Sequence, residues 1–200
     1  DRNYRFAELL GFADVTPTFE LPITDADRAS AAAVLGEQGG RPGEPFAVLA
    51  PGSNWGSKRW PTDRFARLAD HLADRHGLRP VLVGAPSEAG VGSACASACR
   101  SAAIDLVGRT SIRQMMALIE GSAIVATNDS GPMHIAAALG RPLVAIFGPT
   151  DPARTGPYRR PDSVVRAIDD QRHHFRHHDD SQIAAVTVEM ATAKADEQLT

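Results

Sequence analysis

Cysteine is almost missing from this 200-residue chain, with Cys95 and Cys99 as its only two. Two thiols four residues apart make no disulfide framework, and no second ligand pair accompanies them to build a zinc site. Their spacing reads as one helix face in a reducing compartment, packed as small apolar residues. Lysine is equally scarce: Lys58 and Lys194 stand beside 19 arginines. Lys+Arg total 21 against 24 Asp+Glu, a formal net charge of −3, which leaves no basic footprint for nucleic acid. No apolar run approaches the roughly 18 residues of a membrane-spanning helix. The amino end shows no leader pattern of charge, apolar run and small residues, and Asp1 in place of Met points to a fragment or a processed piece. Three signatures are also missing. The Walker spacing is not found around Lys58, the G-x-S-x-G elbow not around Ser130, and H-E-x-x-H nowhere.

What is present is a rhythm. The hydrophobic fraction of 43% and charged fraction of 22% are ordinary for a soluble globular chain. Residues 1–44 form a weakly patterned lead-in with one Ala-rich helical stretch, Asp25 to Leu35, capped by Thr24 or Asp25. Gly36 to Glu44 is a linker by composition. From Pro45 to about residue 168, short apolar runs alternate with helical patterns. The runs are 46–50, 80–84, 104–108, 123–128 and 142–148, with a sixth at Ser163 to Ile168. Helices are expected over 61–76, 87–103, from Ser111 onward, and over 132–139. This alternation predicts an α/β fold, a parallel sheet with helices on both faces. Such sheets bind ligands beyond the carboxyl ends of their strands. Residues 169–200 form a charged segment and a solvated helix. Within them His173, His174, His177 and His178 would offer two i, i+4 pairs to a metal, but a solvated loop is favoured.

The unusual residues gather at the strand ends. After the first strand comes A-P-G-S-N-W-G-S-K-R-W-P, Ala50 to Pro61. Gly52 and Gly56 allow close backbone approach, Ser53, Asn54 and Ser57 supply neutral donors, and Lys58 is a point charge suited to phosphate. A tight loop anchored by Trp55 and Trp60 is the plainer reading of the same residues. After the fourth strand comes T-N-D-S-G-P-M-H, Thr127 to His134. Asp129 or Ser130 caps the next helix there, and the N–H groups at Ser130 and Gly131 face an anion above the strand ends. His134, four residues beyond Ser130, would be placed near the same ligand by one helical turn, but for an isolated histidine a hydrogen-bonded core residue is the favoured reading. Pro149, Pro152 and Pro157 stiffen the loop after strand five, which would wall the cleft. Glu88, after strand two, suits either ribose hydroxyls or a helix amino terminus.

These segments, taken in order, resemble glycosyltransferase family 9, the ADP-heptose:lipopolysaccharide heptosyltransferases. The likeness rests on P-G-S-x-W-x-S-K-R-W-P, V-G-A-P-x-E, G-R-T-S-I, T-N-D-S-G-P-M-H-I-A-A-A-L-G and F-G-P-T-D-P, and covers about residues 45–160. The resemblance implies the carboxyl-terminal, Rossmann-like half of a GT-B enzyme. Ser53, Asn54 and Lys58 would then meet the donor diphosphate, Glu88 the ribose and Thr110 the adenine, while Asp129, Ser130, Gly131 and His134 would hold phosphate and heptose hydroxyls. It implies an inverting transfer to a lipid A–core acceptor, with no cofactor and no metal, because Lys58 and a helix dipole take the cation's part. A cytoplasmic place is implied, with peripheral association at the inner face of the inner membrane. The acceptor half, which carries the base, does not fit within 44 residues, so the chain alone is expected to bind donor without transferring sugar. The rival expectation is a non-catalytic nucleotide-sugar-binding module or a degenerate remnant.

Overall fold

The computed structural model describes residues 9–12, 18–167 and 180–200. Six strands form one parallel sheet: β1 Phe46–Ala50, β2 Arg79–Leu82, β3 Ile104–Asp105, β4 Ile124–Asn128, β5 Leu143–Ile146 and β6 Val164–Val165. Their spatial order is β3-β2-β1-β4-β5-β6, the doubly wound arrangement expected when right-handed crossovers leave a central strand in both directions. Val48 sits in register with Val81 on one side and Val125 on the other.

Side-chain alternation along the strands divides the core in two. Ala47 and Leu49 face a layer built by α2 (Thr62–His76) and α8 (Val188–Gln198), through Phe65, Leu68, Leu72, Ala191 and Ala195. Val48 and Ala50 face the other layer, where α1 (Asp25–Glu37), α4 (Ile112–Gly121) and α5 (Gly131–Ala138) contribute Ala31, Leu118, Ile119, Met133 and Ala136. A parallel sheet buried on both faces needs this near-continuous apolar sequence. The remaining helices are α3 (Ala89–Ala98) and the single turns α6 (Pro152–Thr155) and α7 (Ser181–Ala184). Among the described residues no helix is long and apolar enough to cross a membrane.

Local chemistry fixes the ends. Thr24 and Asp27 make a reciprocal capping box on α1, and Ser111 with Gln114 makes another on α4. The stretch 36–44 is less of a linker than its glycines imply, since α1 runs through Gly36 to Glu37 and stops at Gly39, where φ is +92°. Arg28 then ties α1 to α4 through Glu120. The helix expected over 87–103 is shorter. A 3-10 turn over Pro86–Glu88 precedes it, and it ends where Cys99 turns extended. Beyond that point Asp70 of α2 accepts from the Arg100 and Ser101 N–H groups and holds the chain in a loop. β3 is cut to two residues, because the Asp105 carboxylate takes the Val107 N–H at 3.0 Å. Cys95 is buried and Cys99 half-buried, both as free thiols. The histidines at 173, 174, 177 and 178 lie outside the described residues.

Candidate functional site

A cleft of about 600 Å³ opens beyond the carboxyl ends of β1, β2 and β4. It lies where the connections from β1 and β4 diverge, the position at which a doubly wound sheet takes ligands. Ser53, Asn54, Lys58, Glu88, Thr110, Asp129, Ser130 and Gly131 all line it. His134 is not among the lining residues and stands exposed on α5. Ser130 is the extended residue that precedes α5, with φ −153°, so counting a helical turn from it misplaces His134.

Asn128, at the buried end of β4, staples the two loops. Its Oδ1 accepts from the Trp60 N–H at 3.1 Å, and its Nδ2 donates to the Pro51 and Gly52 carbonyls at 2.9 and 3.2 Å. Trp60 is the anchor of the first loop: it is 1% exposed, and its indole N–H donates to the Val186 carbonyl. Trp55, expected to anchor as well, is 41% exposed, with the Lys58 ammonium 5.0 Å from its ring centroid. A cation over an indole face is held there by the ring quadrupole.

Lys58 and Asp129 meet across the cleft. Nζ lies 2.6 Å from Oδ2, with the lysine side chain 16% and the aspartate side chain 5% exposed. The same Oδ2 accepts from Thr150 at 2.7 Å and from Thr155 at 3.3 Å. The proline-rich loop after β5 therefore does not wall the cleft. It stands behind Asp129 and holds the carboxylate toward Lys58. Asn128, Thr150 and Thr155 escaped the sequence reading; a polar residue closing an apolar strand, as Asn128 does, was the one signal available.

Expected as a helix cap, the Ser130 hydroxyl instead shares a hydrogen bond with Thr127 Oγ1 at 3.1 Å and donates to the Asn128 carbonyl. No side chain caps α5. Pro132 has no N–H and the Met133 N–H donates to the Ser130 carbonyl at 3.1 Å, so the N–H groups that an anion could take at this end are those of Ser130 and Gly131, on the cleft wall. Glu88 sits at a helix amino terminus, as one of its two readings has it, and also borders the cleft. One carboxylate oxygen accepts from the Ala85 N–H at 2.8 Å. The carboxyl lies so close to Gly52 and Gly84 that a Cβ at either would collide with it. At the other end Thr110 continues into Ile112, which is 71% exposed, and Met115, giving the cleft an apolar shelf. The arrangement joins an ion-paired lysine, an uncapped helix end, a carboxylate and an apolar shelf, a donor and acceptor set suited to a nucleoside diphosphate.

Comparison with known proteins agrees. The sequence profile of glycosyltransferase family 9 (heptosyltransferase) matches residues 2–184. Lipooligosaccharide heptosyltransferase 2 of Haemophilus influenzae is 34% identical over 177 residues, covering 84% of this chain and 49% of that protein. The crystal structure of a family 9 glycosyltransferase from Veillonella parvula superposes with a TM-score of 0.86 at 25% identity, covering 98% of this chain and 58% of that one. Escherichia coli heptosyltransferase WaaC, solved with ADP, superposes with a TM-score of 0.67 at 26% identity, covering 96% of this chain and 54% of that one. The chain thus spans about half the length of the curated relatives it matches. Profile, relatives and sheet lead to one conclusion: the chain belongs to glycosyltransferase family 9, the heptosyltransferase family.

Proposed function

We propose that this chain is the donor-binding half of an inverting, metal-independent heptosyltransferase that takes ADP-heptose and serves the lipid A–core acceptor of lipopolysaccharide. The observation that carries the reading is the pairing of the Lys58 ammonium with an uncapped α5 amino terminus across one cleft at the strand switch. The ADP held by WaaC, which shares this fold, supports it. In this reading the diphosphate lies between Lys58 and the N–H groups at Ser130–Gly131, Ser53 and Asn54 border it, Glu88 accepts from the ribose, and adenine rests on Thr110, Ile112 and Met115.

The chemistry is a direct displacement. An acceptor oxygen bonds to the anomeric carbon as the bond from that carbon to the β-phosphate oxygen breaks. Negative charge gathers on the departing ADP, beside the helix end and within reach of Lys58 once its ammonium turns from Asp129. Donors placed at such a developing charge contribute a few kcal/mol each at the transition state. The acceptor proton goes to a carboxylate in the part of the relatives that this chain does not span. Asp129 is poorly suited to that task, because its Oδ2 is already committed to Lys58, Thr150 and Thr155.

The test is calorimetry of the 200-residue chain with ADP-, UDP- and GDP-sugars, followed by a transfer assay. Selective binding of the ADP sugar without transfer is expected, with transfer appearing once a family acceptor half is joined or added. Turnover by the chain alone, abolished by Asp129→Asn with ADP affinity intact, would show that the base lies on this side.

A further inference from the structure

At the opposite end of the sheet, α2 and α8 bring two imidazoles onto one carboxylate. α2 runs antiparallel to the strands, so its last turn lies beside their amino-terminal ends, away from the cleft. His71 Nε2 is 2.8 Å from Asp196 Oδ1, and His76 Nε2 is 2.6 Å from the same atom. The other oxygen of Asp196 faces Arg75 Nε at 3.3 Å. The three side chains are 25%, 22% and 30% exposed, and their potential ligand atoms all lie within 4.8 Å of one another. The two rings stand edge to face, 5.8 Å apart.

We propose that His71, His76 and Asp196 bind a divalent transition-metal ion, zinc(II) or its cobalt(II) substitute, which fastens the carboxyl-terminal helix to α2. Two imidazole nitrogens and one carboxylate oxygen make a three-ligand zinc set, with water completing the tetrahedron. Magnesium and calcium, which seek oxygen ligands, are poorly matched. Around zinc at about 2.0–2.1 Å the ligand atoms stand roughly 3.3 Å apart. The Nε2–Oδ1 separations of 2.6 and 2.8 Å therefore need only a small outward rotation of partly exposed side chains. Without a cation, one carboxylate oxygen must accept two imidazole N–H bonds at once. A cation binds all three groups directly, each neutral imidazole ligating through Nε2 and carrying its one proton on Nδ1 instead. Arg75, 63% exposed along its side chain, has room to swing clear, and the partial exposure of all three ligands leaves the fourth position open to water. The ion takes no part in sugar transfer; it adds a cross-link to a helix also held by the apolar contacts of Val188, Ala191 and Ala195 and by Gln198, which Arg160 meets at 3.0 Å.

The test uses the full chain with His173, His174, His177 and His178 changed to Gln, which silences the other histidine cluster. Calorimetric titration with zinc chloride should show one ion per chain, and cobalt(II) should give the strong visible absorption of a tetrahedral site. Zinc, but not magnesium, should raise the melting temperature. His76→Gln, which keeps a hydrogen-bonding side chain facing Asp196, and Asp196→Asn should each weaken zinc binding on the order of 10–100-fold or more. Failure of the parent chain to take up zinc overturns the proposal, whether or not the variants fold. So does uptake that neither substitution diminishes.

Discussion

Replacing Asp129 by Asn separates two roles that one ion pair performs. In the folded chain the Asp129 side chain is 5% exposed, and its Oδ2 accepts from Lys58, Thr150 and Thr155. Asparagine keeps an oxygen for Thr150 but loses the charge that holds Lys58. Removing one partner of a fully buried pair costs about 3–5 kcal/mol. Lys58 retains a route to water and to the Trp55 face, so the loss should be nearer 2 kcal/mol, the worth of one charge-assisted hydrogen bond. With a urea slope of about 2–3 kcal/mol/M, the midpoint should fall by roughly 0.7–1 M. ADP affinity should move the other way. The freed ammonium no longer has to leave a carboxylate, so affinity should rise severalfold at low salt. Lys58→Met is the counterpart: it should weaken ADP by roughly 10–150-fold, equivalent to about 1.5–3 kcal/mol. Urea unfolding of both single variants and the double variant, with ADP calorimetry alongside, completes the cycle. The double variant should be more stable than the sum of the singles predicts by about 1.5–2 kcal/mol, well above the roughly 0.3–0.5 kcal/mol of independent sites. Additive stabilities, or an Asp129→Asn protein that loses ADP as Lys58→Met does, would refute the reasoning.

Other outcomes follow from single contacts. Gly52→Ala sets a methyl group against the Glu88 carboxyl, the flexible end of its side chain, and should push it aside with little loss of stability while cutting ADP affinity about tenfold, the worth of roughly one hydrogen bond; calorimetry showing no loss would remove Glu88 from the nucleotide site. Burial works against the charge of Asp70, but the hydrogen bonds from Ser101 and Arg100 outweigh it and hold the carboxyl below its ordinary 3.8. Its contribution is thus complete above about pH 4 and is lost as the pH falls through the lower folded value, so urea midpoints of Asp70→Asn should lack that part of the acid decline. Trp60→Phe deletes the 2.8 Å bond to the Val186 carbonyl, which Arg64 also serves at 2.6 Å. The cost should therefore come mainly from lost volume, about 1–2 kcal/mol by thermal or urea unfolding.

Much of the fold was legible because apolar runs and helical spacings alternate without ambiguity. β1 spans the expected 46–50, and Ser111 caps α4 as its position demanded. What failed to show was decided by distant residues. The early stop of α3 depends on Asp70, some 30 residues before the loop it holds. Trp55 and Trp60 look equivalent in a motif, yet Trp60 is buried against the Val186 carbonyl, 126 residues later, while Trp55 is 41% exposed. The cleft residues were identifiable one by one as phosphate or hydroxyl partners. That Lys58 and Asp129 bind each other was not, since 71 residues separate them. His71, His76 and Asp196 were invisible for the same reason, with separations of 120 and 125 residues.

The sheet order has a kinetic consequence. β1 and β4 are hydrogen-bonded neighbours, but the chain must finish the crossovers to β2, β3 and β4 before the two strands can meet. Closing so long a loop is slow compared with forming local helices. The cleft, whose opposite walls belong to those two strands, is thus among the last features to form and is absent from any species that has assembled only β1 to β3. On the proposed reading, nucleotide would have nothing to hold in such intermediates and would bind only the completed sheet, a latch that slows unfolding while leaving the early steps of folding at their own pace.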